Sequence, residues 1–397
     1  MGSATLYRFF KRITSMKLSF KRITSSGSFI PEIDGLRFIA IVSVVLFHLS
    51  NFLTLKIVNQ ADTLDYPFLK HLLSHGHLGV PLFFSISGFI LGIPFAKFHL
   101  KNENPINLKK YFLRRLTRLE PPYILIMTTL LFGAVYVAKT ISLNNAIDSY
   151  LSSIIYSHNF IFPNILPKLN VVAWSLEVEV QFYILAPLMA YIFSIKSLST
   201  RRLLLFFIAL SFLLINHFNF SPFHFISLIN YLHYFLIGFL LADLYVSNST
   251  LLPKTKFDYL IGLFFFLIIW LFDNKDFSSY SQKFIWELIQ LISIFIFYYY
   301  VLFHKIFKFL SFKLITNIGG MCYSIYLLHY PIISMFGNPI LKYSFSNYPY
   351  LNILIYSIIL ILLILLISSI FFLLVERPCM NNDWYKKIFK RNMTTST

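Results

Sequence analysis

The sequence predicts an all-α protein, a polytopic bundle of transmembrane helices. The chain of 397 residues is 57% hydrophobic and only 13% charged, and it contains 46 Phe and 25 Tyr. Soluble domains carry about 25% charged residues, so these proportions exclude a water-soluble globule and a disordered chain. The two cysteines are too few for a disulfide scaffold. The apolar runs are continuous rather than alternating, which favours helices over a closed β-barrel.

Ten apolar stretches are long enough to cross or nearly cross a bilayer. The first has a helix-start signal, because Asp34 and Gly35 precede its apolar run. The fifth and seventh stretches are the shortest. In chain order the predicted spans are 35–54, 77–96, 121–140, 173–195, 202–216, 225–247, 258–272, 284–303, 321–338 and 351–375.

Lys and Arg are distributed unevenly between the two sides of these spans. Of 34 such residues, 26 fall in the terminal tails and even-numbered loops, 7 fall in the odd-numbered loops, and Arg37 stands within the first span. Basic residues accumulate on the cytoplasmic side of membrane proteins, so we predict that both termini are cytoplasmic in a protein of the cell membrane. The same distribution accounts for the net charge of +18 without nucleic-acid binding. We therefore expect membrane lipid, and no nucleic acid, as a partner.

Polar segments divide the chain into three parts. We expect residues 1–31 to form a basic cytoplasmic tail rather than a signal peptide, because they contain no apolar region followed by a small-residue cleavage site. The hexapeptide FKRITS occurs twice in this tail, at 10–15 and 20–25. It suits either a membrane-surface segment or a dispensable duplication. Residues 32–380 form the predicted membrane domain and residues 381–397 a cytoplasmic tail, with no second domain expected.

The first span carries two ionisable residues, which are costly in a bilayer and therefore indicate function. Arg37 and His48 are eleven residues apart, which is three helical turns plus ~20°, so both lie on one face about 16 Å apart. Arg37 should lie near the cytoplasmic surface and His48 near mid-membrane. The alternatives are that Arg37 snorkels or pairs with Asp34, and that His48 is a neutral imidazole bonded to another helix.

Two carboxylates, Glu177 and Glu179, stand near the start of the fourth span. Because two residues subtend ~200° around a helix, only one of them can face a given cavity. Ser175, Glu179 and Tyr183 share one face, and Glu177 and Gln181 share the other. The alternative is a pair of interfacial carboxylates that hold the helix end near water.

Three arginines, Arg114, Arg115 and Arg118, lie just before Pro121-Pro122, where the third span is predicted to begin. Three guanidiniums over about one turn at the entry of a helix suit phosphate binding. Arginines also flank membrane helices for orientation alone, and that alternative stays open.

The remaining histidines fall into two groups. His71, His75 and His77 are spaced like a metal cluster, but no cysteine or carboxylate of suitable spacing joins them, so we predict no metal site. In the ninth span, Pro331 should free backbone carbonyls near His329.

In this order the motifs resemble acyltransferase family 3, the integral-membrane O-acyltransferases that modify sugars and other acceptors. Arg37, ten residues and His48 are similar to the hallmark of that family, and Glu179 matches its usual glutamate. Glu177 and Glu120 depart from the commoner residues of the family. The resemblance extends over about residues 31–380 and includes Gly79–Phe89, Arg114–Pro121, Trp174–Tyr183, Tyr326–Pro331 and Glu376–Pro378.

The resemblance implies transfer of an acyl group, usually acetyl from acetyl-CoA, to a hydroxyl, usually of a carbohydrate outside the cytoplasm. It implies acyl-CoA as a donor substrate, no permanently bound cofactor and no required metal. Some members carry a C-terminal extracytoplasmic hydrolase-like domain, which we do not expect here. The catalytic candidates are His48 and Glu179, and the candidates for substrate binding are Arg37, Arg114, Arg115, Arg118, Trp174, Ser175, Tyr326 and His329.

Several alternatives stay open at this point. His48 could act as a general base or as an acyl carrier. A transporter could use His48, Glu179 and His329 as a proton or substrate path, although no internal repeat beyond FKRITS is evident. An inactive acyl-CoA-binding homologue is a third reading, which the presence of both Arg37 and His48 disfavours. The sequence does not indicate an oligomeric state.

Overall fold

The computed structural model describes residues 20–23, 29–57, 71, 73–217 and 226–381. All regular structure within these ranges is helical, which confirms the predicted all-α class. Eight helical segments are long and apolar enough to cross a membrane, so the chain is a multi-pass membrane protein. Most of the predicted tails, including the first FKRITS copy, lies outside the described residues.

The helices follow the apolar runs of the sequence, and several of them continue for one turn as a 3₁₀- or π-helix. In chain order they are α1 Pro31–Ile57, α2 Gly79–Lys101, α3 Leu108–Phe132, α4 Leu143–Ile154, α5 His158–Ile161, α6 Ala173–Met189, α7 Leu198–His217, α8 Leu228–Val246, α9 Asp258–Leu271, α10 Tyr280–Tyr299, α11 Lys313–Gly320, α12 Cys322–Leu341, α13 Pro349–Phe371 and α14 Arg377–Cys379.

Two predicted spans differ from the others. The stretch at 258–272 forms α9, which is apolar but has only 14 residues, and the stretch at 321–338 forms the 20-residue helix α12. Neither belongs to the eight long apolar segments. The count of ten spans and the cytoplasmic location of both termini therefore stay predictions.

The start of α3 corrects the predicted third span. The helix begins at Leu108, where the side chain of Asn107 accepts a hydrogen bond from Lys110 N at 2.9 Å, and Pro121 and Pro122 lie inside it. Each proline removes one helical hydrogen bond, but neighbouring groups can satisfy freed backbone atoms in a membrane helix. The arginines of this helix are therefore interior residues, and the idea that they surround a helix N-terminus is wrong.

Helices α2 and α8 cross closely through two glycines. A Cβ atom on Gly88 would lie 2.1 Å from the carbonyl oxygen of Phe235, and one on Gly238 would lie 2.2 Å from that of Ser85. Small residues allow membrane helices to pack backbone against backbone. This crossing fixes the position of Ser87, the neighbour of Gly88, in the bundle interior.

Helix α1 lies between two apolar clusters. One cluster is built mainly with α2, α8 and α10, and the other with α3, α12 and α13. Because α1 faces both, its polar side chains lie where the two halves of the bundle meet. The residues of α1 in the first cluster are Ile33, Leu36, Ala40 and Val44, and those in the second are Ile41, Val45, Leu49 and Leu53.

Candidate active site

A cavity of about 100 Å³ opens between α1, α2, α3, α6 and α12. Its walls combine apolar side chains with an unusual number of ionisable groups for a membrane interior. Four predicted site residues, His48, His329, Arg114 and Trp174, are outside its lining. The six predicted site residues that line it are Arg37, Arg115, Arg118, Ser175, Glu179 and Tyr326.

Glu179 is held in the cavity wall by two hydroxyl groups. Ser87 Oγ from α2 and Tyr183 OH from the next turn of α6 both donate to Glu179 Oε1 at 2.5 Å. The Arg115 guanidinium lies 5.4 Å from the centroid of the Tyr183 ring. Within the described residues no hydrogen bond engages Glu179 Oε2, so that oxygen is available to a ligand.

Glu177 takes the opposite face of α6, as the helical spacing predicts. Its side chain is fully buried, and its Oε2 accepts a hydrogen bond from the backbone N–H of Asn159 at 3.0 Å. It does not line the cavity. The structure therefore separates the two carboxylates, one toward the cavity and one toward the segment around α5.

Tyr326 connects α12 to the start of α6. Its hydroxyl donates to the carbonyl of Val172 at 2.6 Å and lies 2.5 Å from Ser175 Oγ. Asn170 Nδ2 donates to the carbonyl of the next residue of α12, Leu327, at 3.1 Å. Pro331 cannot donate to that carbonyl as a helical residue at this position would. The predicted freeing of a carbonyl near His329 is confirmed, and Asn170 uses it to pin the segment before α6.

The imidazole rings of His48 and His329 pack against each other at a tilt of 48°, and His329 also contacts Tyr326. Their ring centroids are 5.2 Å apart, and the rings of Tyr326 and His329 are 5.8 Å apart. Nδ1 of His329 lies 3.1 Å from the Ile325 carbonyl and 2.8 Å from the Tyr326 carbonyl. Because carbonyls only accept hydrogen bonds, Nδ1 carries the hydrogen and Nε2 bears a lone pair.

The lone pair of His329 Nε2 has no hydrogen-bond partner within the described residues, and this side chain is fully buried. His48 is half-buried. Neither histidine lines the cavity, and His329 packs against Tyr326, which does.

Arg37 both lines the cavity and forms the ion pair considered as an alternative from the sequence. Its Nη1 donates to Asp34 Oδ1 at 2.8 Å, and Asp34 is 1% exposed. Arg22 Nε lies 3.0 Å from the same oxygen. The pairing fixes the guanidinium of Arg37 and does not remove it from the cavity.

The arginines of α3 have different positions. Arg118 lines the cavity and its buried Nε lacks a hydrogen-bond partner within the described residues. Arg114 lies outside the lining. Trp174 packs its ring 5.4 Å from that of Tyr231, away from the cavity. The structure thus assigns Arg115 and Arg118, but not Arg114 or Trp174, to the cavity wall.

Comparison with known proteins gives the same family as the motifs. A family model described as an acyltransferase domain, the acyltransferase 3 model, matches residues 30–373. The chain belongs to the acyltransferase 3 family. It is 29% identical over 196 residues to the peptidoglycan O-acetyltransferase OatA of Listeria monocytogenes, covering 47% of this chain and 28% of that protein.

It is also 27% identical over 346 residues to the O-acetyltransferase OatA of Staphylococcus aureus, covering 79% of this chain and 52% of that protein. The chain therefore spans about half or less of the length of these curated relatives. No solved structure matches the chain.

Two residues around the candidate site were missed by sequence reasoning. Ser87 lies inside the Gly79–Phe89 motif, but the motif alone does not indicate its contact with Glu179. Asp34 was recognised as a helix-start signal and as an alternative partner of Arg37. Arg22, in the basic tail, carried no signal, because its partner Asp34 is reached only in the folded chain.

Proposed function

We propose that this member of the acyltransferase 3 family is a membrane O-acyltransferase. It transfers an acyl group from acyl-CoA to a hydroxyl of an extracytoplasmic or lipid-linked carbohydrate, and the proposed acyl group is acetyl. One observation carries the proposal: a single intramembrane cavity contains Arg37, Arg115 and Arg118 together with Glu179, and the paired imidazoles of His48 and His329 adjoin it.

The arginines suit the donor. Guanidinium groups bind phosphates through charge-assisted hydrogen bonds, and Arg118 Nε is a buried donor with no hydrogen-bond partner in the described part of the chain. Along α1, about 16 Å separate Arg37 from His48. That distance suits a pantetheine arm which enters from the arginines and places its thioester near the histidines.

The names of the relatives support acetyl as the transferred group. Both names describe O-acetyltransferases.

The chemistry requires a base beside the acceptor hydroxyl. In the proposed step, the hydroxyl oxygen attacks the thioester carbonyl carbon, its proton passes to an imidazole nitrogen, and the C–S bond breaks to release the CoA thiolate, which takes up a proton. His48 is the proposed base, with His329 packed against it. Glu179 Oε2 is placed to accept a hydrogen bond from the acceptor and to orient it.

The acceptor is proposed from the relatives and the membrane site together. One relative is named for peptidoglycan, so peptidoglycan fragments and their lipid-linked precursor are the first acceptors to test. A carbohydrate is rich in hydroxyl groups that could donate to Glu179 Oε2, which agrees with the polar lining of the cavity.

The test uses the full chain purified and reconstituted in vesicles with radiolabelled acetyl-CoA and either acceptor. We expect acceptor-dependent release of CoA and alkali-labile label in the carbohydrate, both lost in His48→Ala. Folded, reconstituted protein that neither binds acetyl-CoA nor labels any carbohydrate acceptor would contradict the proposal.

A further inference from the structure

A second cluster of ionisable side chains lies near His48 but outside the cavity. It joins His71 and residues 73–78, which lead into α2, to the turn 273–276, which follows α9. The ring of His77 is 5.1 Å from that of Phe47, and Phe47 is 4.9 Å from its neighbour His48. The cluster therefore contacts the part of α1 that positions the proposed catalytic base.

Carboxylates do join these histidines, so the expectation that none does is wrong. His75 Nε2 lies 3.1 Å from Asp276 Oδ2, and His77 Nε2 lies 3.1 Å from Asp273 Oδ2. The partners are about 200 positions apart in the chain, so no local spacing could indicate them.

Backbone carbonyls fix which nitrogen of two histidines carries a hydrogen. His71 Nε2 lies 2.9 Å from the Leu271 carbonyl, and His75 Nδ1 lies 3.1 Å from the Trp270 carbonyl. These carbonyls are among the last of α9, which have no helical donors. Each histidine therefore donates from the nitrogen facing the carbonyl and, when neutral, keeps a lone pair on the other.

This arrangement places two hydrogen-bond acceptors, His75 Nε2 and the Asp276 carboxylate, opposite each other. The lone pair of His75 Nε2 faces the Asp276 carboxylate at 3.1 Å, and His75 is 3% exposed. A neutral imidazole has only one N–H and has already given it to Trp270. A cation, either a proton or a metal ion, must lie between the ring and the carboxylate.

We propose that His71, His75 and Asp276 bind one divalent transition-metal ion, with Zn²⁺ the best match. Their ligand atoms lie within 4.8 Å of one another. Zinc bonds of about 2.0–2.1 Å place tetrahedral ligands about 3.4 Å apart, so the site closes on the ion by a movement of about an ångström. His75 Nε2 and Asp276 Oδ2 already lie 3.1 Å apart, so the movement is that of His71 relative to this pair.

The coordination chemistry supports this choice. Metal-bound histidines characteristically donate their second ring N–H to a carbonyl or carboxylate, as His71 and His75 do here. Two imidazoles and one carboxylate suit Zn²⁺, and three protein ligands leave a fourth position for water. The neighbouring pair of His77 and Asp273, with Lys275 Nζ 3.9 Å from Asp273, flanks the ion without belonging to its ligands.

An ion in this position would cross-link two segments of the chain. It would tie the segment before α2 to the end of α9, and the contacts through His77 and Phe47 would transmit that constraint to His48. The proposal does not depend on the acyltransferase reaction, since no transferred group touches the ion.

The experiment measures metal binding directly on the full chain. Protein carrying an affinity tag without histidines is stripped with chelator and titrated with Co²⁺. We expect one equivalent to bind with the visible absorption of a four-coordinate site, and Zn²⁺ to displace it. Loss of an outer partner of a metal ligand costs 10–100-fold in affinity, so Asp276→Asn and His71→Ala should each cost at least about 100-fold.

The variant Asp276→Asn is decisive because its side chain is 33% exposed and the substitution preserves shape. His99→Ala, at the other end of α2, is the control and should bind Co²⁺ as the wild type does. Zn²⁺ should raise the melting temperature of wild type and His99→Ala but not of Asp276→Asn. Absent stoichiometric binding in folded wild type would show that a proton bridges His75 and Asp276. Unchanged binding in Asp276→Asn would show that Asp276 is not a ligand, and either result would overturn the proposal.

Discussion

The two ends of α1 present different chemistry to the bundle interior. At the N-terminal end, Arg37 is paired with Asp34, which also holds Arg22. Toward the C-terminal end, His48 packs against His329, whose Nε2 lacks a hydrogen-bond partner in the described ranges. A fixed guanidinium suits anion binding, whereas an unpartnered imidazole nitrogen suits proton transfer. In the proposed mechanism, one helix therefore separates donor binding from proton transfer by about 16 Å.

The largest expected effect is on the histidine end. His48→Ala should reduce kcat by about 10²–10⁴-fold, the usual contribution of a general base, while the KM for acyl-CoA changes little. Turnover and melting temperature should be measured on the same purified protein. A structural histidine would instead lower the melting temperature and leave turnover per folded molecule near normal, and that result would remove His48 from the mechanism.

The two carboxylates of α6, Glu179 and Glu177, provide a variant and its matched control. Glu179→Gln should reduce kcat by about 10–100-fold, because a hydrogen bond to a charged group contributes about 1.5–3 kcal/mol. Glu177→Gln should retain activity, since Glu177 faces Asn159 and not the cavity. Initial rates of both variants at saturating acetyl-CoA decide the ranking, and a reversed order would assign catalysis to the Glu177 face.

Substitution of the cavity arginines should weaken the binding of acyl-CoA rather than slow its turnover. Arg118→Ala should raise the KM for acyl-CoA about 10-fold with kcat nearly unchanged, because phosphate contacts are equal in the ground and transition states. Arg114→Ala is the matched control, since Arg114 lies on the same helix outside the cavity lining, and it should behave as wild type. If both variants bind acyl-CoA with wild-type affinity, the arginines only orient the helix.

The smallest expected effect is that of tags that report on which side of the membrane the N- and C-termini lie. Short protease-sensitive tags at both termini should leave activity unchanged and be cleaved only in inside-out vesicles, because the basic loops favour the cytoplasm. Cleavage of the C-terminal tag in right-side-out vesicles would contradict the ten-span topology and the cytoplasmic entry of the donor.

Within α6 the sequence was a good guide, because helical periodicity alone assigns faces. The opposite orientations of Glu177 and Glu179 and the hydrogen bond from Tyr183 to Glu179 follow from spacing. At α3 the sequence misled, since Pro121-Pro122 indicates a helix start whereas the Asn107 cap places it at Leu108. Proline is a strong local signal, but in a membrane bundle the neighbouring helices can override it.

The sequence by itself determined that this is a helical membrane protein of the acyltransferase 3 family, and it supplied six of the residues that line the cavity. Apolar run length and short polar motifs are local properties, so they can be recognised without a structure. Only the tertiary structure decided that Ser87 holds Glu179, that His48 packs against His329, and that Asp276 meets His75. Those contacts join residues far apart in the chain, and their distances depend on how the helices pack.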